Sequence, residues 1–235
     1  MNKIEILKSE KDGLKIKADI HRMAKEGWES ISEDDIQRLK WYGLFLRNPT
    51  PGFFMLRVRI PNGFSFSHQV RALCFIAETF GNGIIDITTR QQVQLRQLKI
   101  ENVPEVFDLL EEAGLTSTQT GMDNVRNIIG CPVAGLNPKE RVNAYAQVKA
   151  LTEHILNNSE FSNLPRKFNV AISGCAADCV HAETQDLALV PAVQEKGGNH
   201  VYGFNILVGG KLGSGGYRIA TDQTPLFSPF LEFIS

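Results

Sequence analysis

Cationic side chains at strand spacings are the feature of this chain best suited to chemistry. Arg57 and Arg59 stand two apart in Phe53–Ile60 (FFMLRVRI), so a strand there turns both to one face. Thr88-Thr89-Arg90-Gln91 closes a second apolar run. Asn124-Val125-Arg126-Asn127 lies between two differently patterned regions. Arg166-Lys167-Phe168-Asn169 opens a third run, with Lys167 and Asn169 on one face. Any one of these cations, taken alone, reads as a solvated strand residue or a surface ion pair. Taken together they are what a polyanionic ligand requires, because guanidinium forks on rigid elements bind carboxylates bidentately. The formal net charge is −1. No global field draws the chain to nucleic acid or a membrane, and an anion site must come from local concentration of charge.

Cysteine and glycine offer two further motifs. Cys175 and Cys179 have three residues between them, and His181 is close by. A Cys/Cys/His zinc site lacks a clear fourth ligand, and half a four-thiolate set cannot hold a cluster alone. Packed or partly exposed thiols are the simpler reading. Cys74 falls on the apolar face of a helical pattern and is expected to be buried; Cys131 precedes Pro132 in a turn. The run VGGKLGSGG, from Val208, lacks both GxxxxGK[ST] and the GxGxxG context of a nucleotide loop. Its glycines suit close approach of backbone amides to an anion or a large planar ligand, or simply a flexible loop. No spacing singles out a Ser/His/Asp triad, and no HExxH is present.

The elements that must position these residues follow from periodicity and punctuation. Residues 1–30 are charged and weakly periodic, an extended arm with some helix. Ser32 and Asp35 form a capping pair for a helix over Glu33–Tyr42 that Gly43 ends. Phe53–Ile60 is a strand and Pro61-Asn62-Gly63 a turn. Ser67 caps a helix over His68–Phe80 with Val70, Leu73, Cys74, Ile76 and Ala77 on one face. Ile84–Thr88 and Gln92–Ile100 are strands. The second shifts parity between Leu95 and Leu98, which marks a bulge. A helix over Val103–Ala113 ends at Gly114. The order is βαββα, a ferredoxin-like unit. Beyond Thr116, Asn137-Pro138 opens a long helix to about Leu156. Strands over Lys167–Ser173, Asp186–Val190 and Val201–Val208 follow. The fold class is therefore α+β: an N-terminal arm (1–50), a ferredoxin-like βαββα segment (51–115) and an α/β half-domain (116–235).

Composition excludes several classes. Apolar residues make up 43% and charged residues 22% of the 235, ordinary for a globular chain that can bury a core without disulfide staples. No apolar run is long enough to span a bilayer. The start, MNKIEILKSEKDGLKIK, lacks the apolar region of a signal peptide. With four cysteines, this points to the reducing cytoplasm.

Five ordered strings, FFMLRVRIPNG, DITTRQQVQLR, GMDNVRNIIGCPVAG, LPRKFNVAISGCAADCVHAETQDLALVPA and GFNILVGGKLGSGGYRIA, together resemble the nitrite and sulfite reductase family over residues 30–220. The resemblance implies a pseudo-twofold fold of which this chain is the N-terminal half. It also implies sirohaem, an iron isobacteriochlorin with eight carboxylates, shared with the other half. A [4Fe–4S] cluster joins it only in a complete protein, where a six-electron reduction takes nitrite to ammonia or sulfite to sulfide. Carried over position by position, Arg57 and Arg126 hold the substrate anion, Lys167 adds charge and delivers protons, and Asn169 favours nitrite over the more highly charged sulfite. Thr88, Arg90, Gln91 and Asn127 lie along the sirohaem carboxylates; Gly209, Gly210, Lys211 and Arg218 approach the macrocycle edge. Asp86 departs from the arginine that sulfite reductases often carry there, which weakens or reshapes one carboxylate contact. Cys175 and Cys179 resemble the mirror image of a cluster ligand pair, in the half that binds no cluster. The residues after Ala220 leave the family pattern. The implied donor is a ferredoxin-type protein, and apolar surface facing the missing half implies self-association. The alternatives are a non-catalytic tetrapyrrole-binding half-protein, a sulfite reductase fragment, or a Cys/His metal-binding protein.

Overall fold

The computed structural model describes residues 3–213 and 215–223 and the backbone of 228–229. The chain divides into two compact units, residues 1–60, 65–126 and 155–167 in the first and 61–64, 127–154 and 168–235 in the second.

In the first unit, helix α1 (Lys3–Glu10) leads to a 3₁₀ segment over Gly13–Asp19, whose first free N–H is capped by Asp12. Helices α2 (Ile20–Glu26) and α3 (Glu33–Leu39) follow. The segment read as an arm is mostly helical, and its Leu7, Ile16, Ile20 and Met23 are buried in the unit's core. Its period is weak because 3₁₀ and α turns alternate, and the two repeat at different spacings. Ser32 caps α3 by accepting the N–H of Asp35, as the capping pair predicts. Gly43 then stops the helical run in a left-handed conformation, φ 72°. A Cβ there would lie 2.5 Å from the Arg57 carbonyl oxygen, so glycine is required both by conformation and by contact.

The sheet is antiparallel. Strands β1 (Leu44–Arg47) and β2 (Thr50–Val58) pair first. Helix α4 (Ser67–Phe80) crosses to β3 (Ile85–Ile87), β4 (Val93–Leu98) inserts between β3 and β2, and α5 (Val103–Glu112) closes the unit. The order β1-β2-β4-β3 makes β2-α4-β3 a split βαβ, the ferredoxin-like arrangement. The expected bulge is present: Leu95 faces Leu56, Leu98 faces Phe54, and Gln97 takes up the extra residue at φ 59°. Helix α4 buries Leu73, Ile76 and Ala77 but leaves Val70 and Cys74 exposed. The expectation of a buried Cys74 is therefore corrected, because the face turned to the sheet is narrower than the apolar pattern. Phe66, not Ser67, is the capping residue; its N–H donates to the Gln69 side chain.

In the second unit, β5 (Ile129–Gly130), α6 (Ala144–Ile155), β6 (Val170–Ile172), β7 (Leu187–Lys196) and β8 (Asn199–Val208) form the frame. Strands β5, β6 and β7 are parallel, and β7 and β8 make a long antiparallel hairpin. Strands β9 (Lys211–Gly213) and β10 (Gly216–Arg218) form a separate hairpin, so the glycine-rich run is a hairpin among the described residues. Ser214 within it lies outside them. Strands β11 (Thr221–Asp222) and β12 (Ser228–Pro229) line the far side of β8. Of the stretch after Ala220, residues 224–227 and 230–235 lie outside the described residues.

Several expected boundaries move; the strand expected over Asp186–Val190 runs on to Lys196. The helix predicted from Asn137-Pro138 begins only at Ala144. Asn137 does accept the Lys139 N–H, but Arg141 and Val142 give their N–H groups to the Gly174 carbonyl. Donors spent on a distant partner cannot build the first helical turn. The strand expected over Lys167–Ser173 is confined to Val170–Ile172.

Candidate functional site

The first unit gathers its cations at the end of β2. Leu56 and Val58 are buried in the core, so Arg57 and Arg59 turn to the opposite face, against the segment 116–126. Arg57 lies 4.8 Å above the Phe45 ring, a cation–π contact that fixes its stem. Its Nη1 donates to the Thr120 carbonyl at 3.2 Å. Nη1 of Arg126 donates to the same oxygen at 2.5 Å. One carbonyl thus holds two guanidinium groups together. The Thr120 hydroxyl adds to the stitch, its one proton shared between the Ser117 carbonyl at 2.8 Å and the Arg57 carbonyl at 3.1 Å.

Arg59 lies beneath them, 1% exposed. It donates to four carbonyls: Thr118 from Nε, Arg126 from Nη1, and Gln119 and Val125 from Nη2. None of these acceptors is a carboxylate. Asp123 is the acid that favours the charged form of Arg126, yet its carboxylate also serves Lys8 at 3.1 Å. The cluster therefore carries positive charge that the local acids do not balance. Burial pushes Arg59 down to about 9, with Arg126 and Arg90 adding repulsion. Burial pushes Arg126 to about 10, with repulsion from Arg57 and Arg90. Burial and Arg96 lower Arg57. All three remain cationic at neutral pH. The Nε of Arg126 is buried with no hydrogen-bond partner. Buried cations held by carbonyls rather than acids are costly, and an anion bound there removes that cost.

Arg90 reaches this field from the β3–β4 loop. The Thr88 N–H donates to the Gln92 carbonyl, and the Thr88 hydroxyl accepts the Gln92 N–H. Gln91 turns the corner at φ 55°. This tight hairpin loop holds Thr88, Arg90 and Gln91 at one sheet end. Asp86 pairs with Arg96 across the strands at 2.5 Å, so the position that departs from the sulfite reductase pattern is engaged within the sheet.

The remaining expected residues fall in both units. Lys167 is exposed at the end of the first unit. In the second unit, Asn127 is fully buried. The backbone N–H of Asn169 donates to the Asp186 carboxylate at 2.8 Å. Gly210 has a purpose within the chain: a Cβ there would collide with the carbonyls of Gln185 and Glu183. Gly209 adopts φ 82° and donates its N–H to the Asp186 carbonyl. Lys211 and Arg218 are cross-strand partners in the β9–β10 hairpin. Cys131 and Cys175 are buried while Cys179 is exposed. Among the described residues no group of three or more His, Cys, Asp or Glu side chains is arranged to hold a metal ion. No helix among them is long and apolar enough to cross a membrane.

From sequence, Arg59 is read only as a cation sharing a face with Arg57, with no role of its own, and Thr120 is not singled out. The R-x-R spacing was the available signal for the first. Nothing marks Thr120, because its carbonyl does the holding.

A ferredoxin-like split βαβ followed by a mixed sheet, with unbalanced arginines at the end of β2, defines a class, and comparison with known proteins names it. Residues 47–113 match the nitrite/sulfite reductase ferredoxin-like half domain, and residues 121–232 the nitrite and sulphite reductase 4Fe-4S domain, which corrects the expectation that the family pattern ends at Ala220. The chain belongs to the nitrite and sulfite reductase family. It is 50% identical over 216 residues to a ferredoxin–nitrite reductase of Leptolyngbya laminosa, covering 89% of this chain and 42% of the relative. It is 37% identical over 234 residues to the assimilatory ferredoxin-dependent nitrite reductase of Haloferax mediterranei, covering 93% and 40%. The solved NirA protein of Mycobacterium tuberculosis superimposes with a TM-score of 0.87 at 27% identity, covering 98% of this chain and 44% of that one. The chain thus spans about two fifths of the length of these relatives.

Proposed function

We propose that the chain is the N-terminal, anion-holding part of an assimilatory sirohaem reductase that reduces nitrite to ammonia with electrons from a ferredoxin-type donor. The observation that carries this reading is the trio Arg57, Arg59 and Arg126, gathered on carbonyls without balancing acids. The described residues fit sirohaem on one count. Its eight carboxylates need fixed cations, and a buried Arg126 Nε with no partner is a donor awaiting an acceptor. They do not fit a [4Fe–4S] cluster, since no described group of cysteines is arranged as its ligands.

When bound, sirohaem supplies the iron and the electron path. The chain's own residues bind and orient. Arg57 and Arg126 hold the anion and stabilise charge that builds on its oxygens. Lys167 adds positive charge and delivers protons to the departing oxygen. Asn169 leaves the site one cation poorer than a lysine would, which suits a monoanion. Thr88, Arg90, Gln91 and Asn127 run along the macrocycle carboxylates, with Gly209, Gly210, Lys211 and Arg218 near its edge. The cytoplasm is the expected compartment.

The test is made in a reductase completed with the remaining part of the Leptolyngbya relative. Changing Arg126 to Met should raise the KM for nitrite about 10- to 100-fold, the worth of ~1.5–3 kcal/mol for a hydrogen bond to a charged group. An unchanged KM would remove Arg126 from the anion site.

A further inference from the structure

We propose that Arg59 is the positioning residue of the anion site: it never touches the anion, but sets where Arg57 and Arg126 stand. The inference rests on the proposal that those two residues hold the anion.

The geometry is specific. Both outer arginines lean on the Thr120 carbonyl. The segment that presents this carbonyl has no helix or strand between Leu115 and Ile128, and its own bonds are short-range, such as the Thr120 hydroxyl to the Ser117 carbonyl and the Asn124 side chain to the Gly121 carbonyl. Where the Gln119 N–H ties the segment to the Trp41 carbonyl at one point, Arg59 adds four bonds that span it. Its planar fork spans both arms of the segment, with Thr118 and Gln119 on one side of Thr120 and Val125 and Arg126 on the other. The 3.0 Å bond to the Arg126 carbonyl anchors the backbone of the very residue whose side chain reaches Thr120. On its own side Arg59 is held by strand pairing: its N–H donates to the Thr116 carbonyl at 2.8 Å. It therefore ties the segment to the end of β2, the strand that carries Arg57.

Lysine cannot replace this fork. An ammonium is a point donor with three N–H groups, while the guanidinium donates from three nitrogens in one plane. Arg59→Lys keeps the charge and loses the span. A role confined to supplying positive potential would survive that change; a positioning role would not.

The experiment uses the chain as it is, labelled with ¹⁵N-arginine, and follows the Arg Nε–H resonances during titration with sodium nitrite. Sodium chloride at equal ionic strength is the control. In the wild type the Arg126 resonance should shift saturably, while that of Arg59 should not report direct contact. Arg59→Lys and Arg59→Gln should each melt cooperatively and bind nitrite about tenfold more weakly, within the range of coupled neighbours. Combining Arg59→Lys with Arg126→Met should add little to the loss from Arg126→Met alone. That non-additivity is a readout a general loss of stability would not give.

The failures are separable. If wild-type Arg126 shows no saturable response to nitrite, the anion-site proposal falls. If the wild type responds and Arg59→Lys binds equally well, or the two losses simply add, the positioning role falls. If neither Arg59 variant melts cooperatively, Arg59 belongs to the fold itself and the positioning role is overturned.

Discussion

The Thr120 carbonyl accepts from Arg57 and Arg126 at once, and the nearby acid, Asp123, is shared with Lys8. Like charges held this close repel, and the anion proposed for the site would offset that repulsion. The same logic reaches Asn169. Sulfite is largely dianionic near neutrality and gains from each added cation, whereas nitrite is a monoanion. In the completed reductase, Asn169→Lys should shift the ratio of nitrite to sulfite turnover toward sulfite. An unchanged ratio would sink the argument from charge. From sequence, Arg57 and Arg126 were legible as residue types, and the family resemblance supplied the roles proposed for them. The burial of Arg59 was not legible. Its twin two residues earlier has the same type and face, and what separates them is a segment, 116–126, with no period to read.

Elements were legible where the pattern was local. The parity break between Leu95 and Leu98 foretold a bulge, since two core residues three apart on a strand must have an extra residue between them. The start of α6 was not legible, because the carbonyl that diverts the N–H groups of Arg141 and Val142 belongs to Gly174, more than thirty residues on. The loop between β6 and β7 holds a pair of acids that yields a pH signature. Burial, then a hydrogen bond with Glu183, pushes Asp178 up to about 6, and the same bond holds Glu183 below its usual range. A raised folded value means that Asp178 stabilises the fold below its ordinary value of 3.8, and that this is lost as pH rises through about 6. Glu183 has the opposite sign: its contribution is present above 4.5 and lost as pH falls through its lowered value. Asparagine at 178 imitates the protonated acid. It can accept the Ala182 N–H, as Asp178 does at 2.8 Å, and can donate to Glu183. Asp178→Asn should raise the Tm at pH 7.5, with the gain shrinking toward pH 4. A gain independent of pH would refute the shared proton.

At the scale of the molecule, the chain covers 42% of the Leptolyngbya relative. The first unit exposes Phe66, Val70, Phe75, Ile84 and Ile87, the last 85% exposed on an edge strand. Apolar side chains on an unpaired edge favour association. Light scattering should show a mass that rises with concentration, and a monomer mass throughout would count against an unmet interface. The central claim, that this chain holds the anionic ligand of a sirohaem reductase, is tested most directly by titrating the purified chain with sirohaem and following its visible absorption. The expected result is a saturable spectral change at one sirohaem per chain, weakened by Arg126→Met. Spectra that match free sirohaem at every ratio would contradict it.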